Sequence, residues 1–566
     1  MTYTNCIQRV DLTAASCYNH SSNHSRRASQ TLMKHPKVKN SFADRVNFTH
    51  THLTPGTVFL VLFMLIGIFA RLWQFGYMPG DINQDEAFSG YEAYSLLHYG
   101  MDSAGYRFPV YLTTWGSGMN ALNTYLIIPL MALFGPKIWV IRLPQVIVAC
   151  LSLWVVYLIT KRILNQTAAL CALFLLAIAP WHISMARWGL ESNLAPGFLI
   201  FGLYFFLRGM DNSRFFMLSA LMYGLSLYCY AAIWPMVPLI LLLQLMAGIP
   251  AKKIRFDRWL LLSGITLGLL ALPLLLFLLI NMDYMEEIRL PFLSIPKLLY
   301  MRANEVSLTN LESNAKRLWY IIRNQYDDLP YNAFYKYGLF YRGSLPFFVL
   351  GLFYCMKSTV ERLLKKDLAL EFFLLVQLCA GGLLGLLIYS NINRINILFI
   401  PMIMVAAIGV YYLCSLIDLR YLVLPALFYL VMFIGFERYY FTEYQERMDY
   451  YFCRGLEDAV TEAASYQGPV YFSRSQIHSR ILFYTLPPTQ EYIDTVEYFN
   501  YPSAYLAAKS FGRYSFDFDQ YTPDVNATYC LSQDADLSAF ESMGFTLHYY
   551  GNYTVAHHPD NVYDSQ

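Results

Sequence analysis

Long apolar runs separated by short polar stretches dominate the chain between residues 56 and 437. A helix crossing a bilayer takes roughly 20 apolar residues. The pattern predicts membrane helices over about 57–75, 138–160, 167–183, 193–209, 215–230, 232–248, 259–281, 344–357, 368–390, 394–414 and 420–437, several of them short for a full span. One further apolar piece, GMNALNTYLIIPLMALFG (Gly118 to Gly135), carries Asn120, Asn123 and Pro129. It reads as a helix lying in, or dipping into, the membrane interface.

Basic residues orient these helices, because Lys and Arg in short loops stay on the cytoplasmic side. They cluster at Lys161/Arg162, Arg208/Arg214, Lys252/Lys253/Arg255/Arg258 and Lys357/Arg362/Lys365/Lys366. Residues 1–55 form a polar tail with seven Lys/Arg against Asp11 and Asp44, and no cleavable signal is visible in it. The tail is expected in the cytoplasm, with the first span an uncleaved anchor. Counting 138–160 as a crossing, and 118–135 as none, places every basic loop inside. The expectation is an α-helical, multi-pass protein of the plasma membrane with eleven spans, its N-terminus cytoplasmic and its C-terminus extracytoplasmic.

Residues 56–437 then make a transmembrane domain with two outer loops, 76–137 and 281–343. The second loop opens with MEEIRLPFLSIPKLLYMR, which reads as an amphipathic piece along the membrane surface. It ends in the Tyr-rich YDDLPYNAFYKYGLFYRG. Residues 438–566 turn polar and mixed. A helical QERMDYYFCRGLEDAVTEAA and a strand-like GPVYFS predict a small extracytoplasmic α/β domain.

Composition agrees with a membrane protein: 56% of the 566 residues are hydrophobic and only 14% are charged. The 47 tyrosines suit interfaces, where one end of the ring is wet and the other dry. A net charge of +2, with no basic face interleaved with aromatics, gives no reason to expect a nucleic-acid partner. The ten cysteines show no C-x-x-C pair and no zinc spacing. Cys453 and Cys530 share the C-terminal region, and a disulfide between them is one option.

The first outer loop carries an unusual cluster. DINQDEAFSGYEAY places Asp81, Asp85, Glu86 and Glu92 directly after the first span. Acids at a helix N-terminus stabilise it by about 0.3–1 kcal/mol. That accounts for one acid better than for four. Carboxylates here can also act as general bases or bind cations.

The same loop, MPGDINQDEAFSGYEAYSLLHYGMDSAGYRFPVY, resembles the first outer loop of the dolichyl-phosphate-mannose–protein mannosyltransferase family. It is most similar to the bacterial branch of polyprenyl-phosphate-sugar glycosyltransferases, which includes the aminoarabinose transferase of lipid A. LFGPKIWVIRLPQV, AIAPWHISMARWGLESN and NINRINILFIPMI follow in the same order. The tryptophan-rich signature of oligosaccharyltransferase catalytic subunits is not seen. The resemblance implies the GT-C membrane fold and an inverting transfer. A sugar would pass from a polyprenyl-phosphate carrier in the membrane lipid to an acceptor hydroxyl on a protein, glycolipid or cell-wall polymer.

The family's base falls on Asp85, with Glu86 orienting the acceptor or binding a metal. The departing phosphate needs cations, best supplied by the planar fork of Arg. Arg142, Arg187 and Arg394 stand at predicted outer edges, and Arg394 matches the family's Arg. Snorkelling to the interface is the plain alternative for Arg394 and Arg142. Arg187 and Glu191 are four apart, which suits either an i,i+4 ion pair or a second acid over the site. Asp85, Glu86 and Glu191 are the carboxylates that could hold a divalent cation, Mg or Mn. His98 and His182 lack partner spacing and read as interface histidines. Tyr331 to Tyr341 suit an aromatic belt, or stacking on sugar rings.

A transporter of a lipid-linked or anionic substrate is the rival class. Transporters put ionisable groups near the membrane centre, whereas LLLSGITLGLLALPLLLFLLI is uncharged and the acids gather in outer loops. A scaffold or sensor would leave the acid pair without a purpose.

Overall fold

The computed structural model describes residues 54–301, 308–474, 477–519 and 522–561. The basic tail read over residues 1–55 therefore lies outside the described residues except for Thr54 and Pro55. These two open α1 (Pro55–Leu72). The Thr54 hydroxyl accepts the Thr57 N–H, and Pro55 stands in the first turn, where a missing N–H costs little.

Two helices of the first outer segment follow, α2 (Gln84–Tyr99) and α3 (Leu122–Phe134). The apolar part continues with α4 (Ile138–Ile163), α5 (Gln166–Ala177), α6 (Pro180–Met185), α7 (Ala195–Gly209), α8 (Phe215–Ser226), α9 (Met236–Gly248) and α10 (Arg258–Asn281). After α11 (Leu311–Asn324) in the long outer segment come α12 (Leu345–Leu364), α13 (Glu371–Leu387), α14 (Phe399–Ile417) and α15 (Val423–Tyr440). Every predicted apolar run contains a helix.

Among the described residues, seven helices are long and apolar enough to cross a membrane, counting the short turns that lead into some of them. They are Pro55–Leu72, Ile138–Ile163, Ala231–Gly248, Arg258–Asn281, Arg342–Leu364, Asn396–Ile417 and Leu419–Tyr440. The other four positions fall short of the expected eleven full spans. The run 167–183 breaks before Pro180 into α5 and α6, while α7, α8 and α13 have 15, 12 and 17 residues. α3 has 13 residues and is likewise too short for a crossing, in line with its reading as a helix that does not span.

A helix that is apolar all round is either core or lipid-facing. α14 is core, with every residue from Phe399 to Val410 buried. α1 is the opposite case, burying only Gly67, Ala70 and Arg71. α14 meets α12 at a glycine crossing. A Cβ on Gly351 would lie 1.9 Å from the Val405 carbonyl oxygen, and one on Gly409 equally close to the Phe347 oxygen. A backbone carbonyl cannot swing aside as a side chain can. Gly351→Ala and Gly409→Ala are each expected to cost about 1–3 kcal/mol or more. Thermal unfolding in detergent checks this as a clear fall in Tm for either variant.

Two short antiparallel hairpins lie in the segments between the apolar helices: β1 (Tyr111–Leu112) with β2 (Met119–Asn120), and β3 (Ile288–Leu290) with β4 (Leu293–Ile295). The second corrects the amphipathic surface piece expected from residue 285 onward. Pro291 and Pro296 deny that stretch a continuous helix, and the triplet before Pro291 (Ile288–Leu290) pairs instead with the one between the prolines (Leu293–Ile295). The Val110 N–H donates to the Ser294 carbonyl, docking β4 on the first outer loop.

The region from residue 438 opens with α16 (Glu443–Tyr451) and α17 (Leu456–Ser465), where the sequence suggested one helix. Cys453 and Gly455 both adopt left-handed backbone (φ 58° and 91°) and turn the chain between them. Next come β5 (Val470–Phe472), α18 (His478–Thr485), α19 (Thr489–Thr495), β6 (Glu497–Tyr498), β7 (Ala508–Phe511), β8 (Tyr514–Ser515), β9 (Thr528–Ser532), β10 (Thr546–Tyr550) and β11 (Tyr553–His557). They build a seven-stranded sheet in the order β10-β11-β9-β5-β8-β7-β6, parallel at β5–β9 and β5–β8 and antiparallel elsewhere. Cys453 and Cys530 are both buried there as free thiols, so the optional disulfide is not formed.

Candidate active site

The sequence N-Q-D-E starts a helix by its own chemistry. The Asn83 side chain accepts the Asp85 N–H at 3.0 Å, and the Glu86 carboxylate reaches back to the Asn83 N–H at 2.9 Å. This capping box begins α2 and holds Asp85 in its first turn. Of the loop's four acids, Asp85 alone is half-buried; Asp81, Glu86 and Glu92 are buried.

Glu86 is locked. Its Oε1 accepts from Arg142 Nε and the Gly189 N–H, both at 2.7 Å, and its Oε2 accepts from Arg142 Nη2 at 2.9 Å as well as from Asn83. Arg142 also donates to the carbonyls of Pro79 and Asp81. Neither side chain of this ion pair has any exposure. Four N–H donors fill the Glu86 carboxylate, which leaves it no room to orient an acceptor or ligate a metal. Glu86 and Arg142 instead fix the loop that carries Asp85.

Arg187 is placed in the same way. It donates to the carbonyls of Met78 at 3.0 Å, Trp73 at 2.6 Å and Gln74 at 2.8 Å, closing the C-terminal end of α1. The i,i+4 reading with Glu191 has no helical turn beneath it, because α6 ends at Met185 and Glu191 opens a 3-10 turn.

Asp85 and Glu191 are joined through one hairpin. Trp115 Nε1 donates to Asp85 Oδ1 at 3.1 Å. Asn120, on β2, donates its N–H to Glu191 Oε2 and its Nδ2 to Oε1. Gly116 and Gly118 have φ near 88° and 79° and make the sharp bend between these two contacts. Arg394 is half-buried in the loop before α14. Its flanks are anchored on both sides: Asn393 donates to Asn332 at 2.6 Å, and Asn396 donates to the carbonyl of Ser192, next to Glu191, at 2.8 Å.

A cavity of about 590 Å³ lies against the start of α2, lined among others by Asn83, Gln84, Tyr331, Phe452, Arg480 and Tyr553. Burial, then the Asp327 and Tyr451 charges, push the Tyr331 hydroxyl up, and Asp85 adds the smallest part. The Tyr-rich stretch thus divides. Tyr331 faces the cavity, whereas Phe334 and Tyr341 are core and Tyr341 donates to the Ile178 carbonyl. Sequence reasoning missed Trp115, Asn120 and Arg480. The two glycines in TTWGSGMN were a signal for the first two; nothing local marks Arg480.

The remaining acids join the loop to the C-terminal region. Asp81 accepts from the Tyr484 hydroxyl, the Ile82 N–H and the Glu457 N–H, and burial pushes it up to about 6. Arg480 Nε donates to the Ile82 carbonyl, Tyr91 to the Pro487 carbonyl, and Ser95 shares a hydrogen bond with Thr489.

Glu92 and Asp102 are a buried acid pair. Burial first, then the Asp102 charge, raises the Glu92 carboxyl, and burial raises Asp102. The folded state therefore binds more protons than the unfolded state, beginning above the ordinary Glu value of about 4.3. Their contribution is complete below that value and is lost as pH rises through neutrality to the raised folded values. Glu92→Gln is expected to unfold at the wild-type temperature near pH 5 and at a higher one near pH 9. Equal Tm differences at both pH values would count against it.

His182 is fully buried with its Nδ1 bonded to Arg71, whereas the sequence placed it at an interface. Among the described residues, one group of three or more His, Cys, Asp or Glu brings its ligand atoms within 4.8 Å of one another, and it lies in the C-terminal region. The expected set Asp85, Glu86 and Glu191 is not that group.

Residues 122–278 match the family described as dolichyl-phosphate-mannose-protein mannosyltransferase. No curated protein matches the sequence. Among solved structures, the fold is similar to that of ArnT from Cupriavidus metallidurans bound to undecaprenyl phosphate. The TM-score is 0.57 at 13% identity, over 88% of this chain and 98% of that one. An oligosaccharyltransferase from Archaeoglobus fulgidus aligns at TM-score 0.46 and 13% identity, over 76% of this chain; the chain spans 63% of that enzyme's length. The resemblance read from the sequence is borne out: the chain has the GT-C fold, and its stretch from α3 to α10 carries the mannosyltransferase family's pattern.

Proposed function

We propose that the chain is an inverting glycosyltransferase. It moves a monosaccharide from a polyprenyl-phosphate carrier to an acceptor hydroxyl at the outer face of the membrane. The observation that carries this reading is the sorting of the acids. Three are buried in structural bonds, and Asp85 alone stands half-buried, next in the chain to Gln84 on the cavity wall, its backbone N–H held by Asn83 and its carboxylate by Trp115. As the acceptor oxygen attacks the anomeric carbon, Asp85 takes its proton, and the sugar–phosphate bond breaks on the opposite face. The electron pair leaves with the lipid phosphate. Its charge falls to Arg394 and Arg480, while Arg142 and Arg187 hold the frame. Glu191, tied to the Trp115 hairpin, sets the far side of the acceptor site.

Purified protein is to be incubated with polyprenyl-phosphate sugars and an acceptor pool, and released lipid phosphate and product anomer recorded. Release with an inverted anomer is expected; failure with every donor would favour a transporter. The orientation is tested separately by impermeant labelling of a cysteine placed at exposed Tyr77, just before the acid loop.

A further inference from the structure

The cluster in the C-terminal region has no part in that chemistry. Glu462 projects from α17, His548 from β10 and His557 from the end of β11. Thr546 pairs with His557 and His548 with Val555, so both histidines lie on one face of the ribbon as diagonal neighbours. α17 covers that face and brings Glu462 Oε1 to 2.5 Å from His548 Nδ1.

Two features separate this cluster from an ordinary buried ion pair. The Glu462 side chain is only 9% exposed, yet its Oε2 has no hydrogen-bond partner. Both ring nitrogens of His557 are also buried without a partner. Such atoms are costly unless something fills them. The His557 ring is held in place by Tyr466, stacked at 4.3 Å between centroids, and the Tyr466 hydroxyl donates to Glu462 Oε1.

We propose that Glu462, His548 and His557 bind a divalent transition-metal ion of the zinc class. Two imidazoles and one carboxylate suit such an ion, with bonds of about 2.0–2.2 Å. Tetrahedral ligands then stand about 3.3 Å apart. The three ligand atoms already lie within 4.8 Å of one another and need only a small contraction. The ion replaces the direct His548–Glu462 bond and gives one of the two orphaned His557 ring nitrogens a partner. The side chain of His548 is 44% exposed, which leaves an open side for water as a fourth ligand. The ion ties α17 to the last two strands. α17 reaches the acid loop through the Glu457 N–H on Asp81, and Tyr553 at the start of β11 lines the cavity.

The full chain in detergent, with affinity tags removed, is stripped with chelator and titrated with Zn²⁺ and Co²⁺. One equivalent retained after dialysis is expected, with a Co²⁺ visible spectrum free of thiolate bands. His557→Gln and Glu462→Gln lose that equivalent, and Asp85→Asn keeps it. His548→Gln, at a more exposed position that folding should tolerate, loses it too. No retained ion in the wild type, retention in all three ligand variants, or loss in Asp85→Asn would each overturn the proposal. Lipid-phosphate release tests the transferase reading separately from metal content.

Discussion

Replacing Asp85 by Asn is expected to slow lipid-phosphate release by about 10²–10⁴-fold, the usual contribution of a general base. The variant keeps the shape of the side chain, and its amide oxygen still accepts the Trp115 N–H. α2 and the cavity wall should therefore stay in place. Donor affinity and Tm are expected to remain near wild type while kcat falls. Trp115→Phe removes the orienting donor and leaves the carboxylate, so a smaller fall in kcat at unchanged donor affinity is expected. Full activity in Asp85→Asn would remove the base from the mechanism. Loss of both activity and Tm would make Asp85 one more structural acid.

The Glu86–Arg142 pair carries the second large effect, and it acts on stability first. Arg142→Leu leaves a carboxylate with no exposure and no countercharge, and Glu86→Leu leaves the guanidinium in the same position. Breaking one partner of a buried pair costs about 3–5 kcal/mol, whereas replacing both by apolar groups is often close to neutral. Each single variant is expected to unfold far below wild type, and the Glu86→Leu/Arg142→Leu double variant to regain most of the loss. Activity should not return with it, because the Pro79 and Asp81 carbonyls lose the guanidinium that holds the acid loop. Additive losses in Tm would show that the two residues are not coupled.

The apolar helices were legible because each run is long and local. Their exact lengths were not, since hydropathy does not see that Pro180 breaks one run. The site was legible only where its signal is local. The acids of DINQDEAFSGYEAY and the place of Asp85 at a helix start could be read from consecutive residues, whereas the locking of Glu86 by Arg142 and Gly189 could not. The three outer arginines look alike in sequence, because what separates them is distant: Arg142 meets a carboxylate 56 positions away and Arg187 a carbonyl 109 positions away. Arg480 touches Ile82 across 398 positions, and the Glu462–His548 contact spans 86. The β3–β4 hairpin is a different case. Its local signal is proline: Pro291 falls in the turn between the two strands and Pro296 directly after the second.

The clasp between α2 and α18–α19 also sets a schedule. The helix bearing Asp85 leaves the ribosome nearly four hundred residues ahead of Arg480, Tyr484 and Thr489, which complete its surroundings. During synthesis its apolar face, Phe88 and Tyr91 included, waits uncovered. On the proposed reading, a nascent chain inserted in the bilayer has no finished transfer site until α18 and α19 have arrived. Messages truncated before codon 480 should give inert, aggregation-prone protein, because α2 then never meets Arg480, Tyr484 or Thr489.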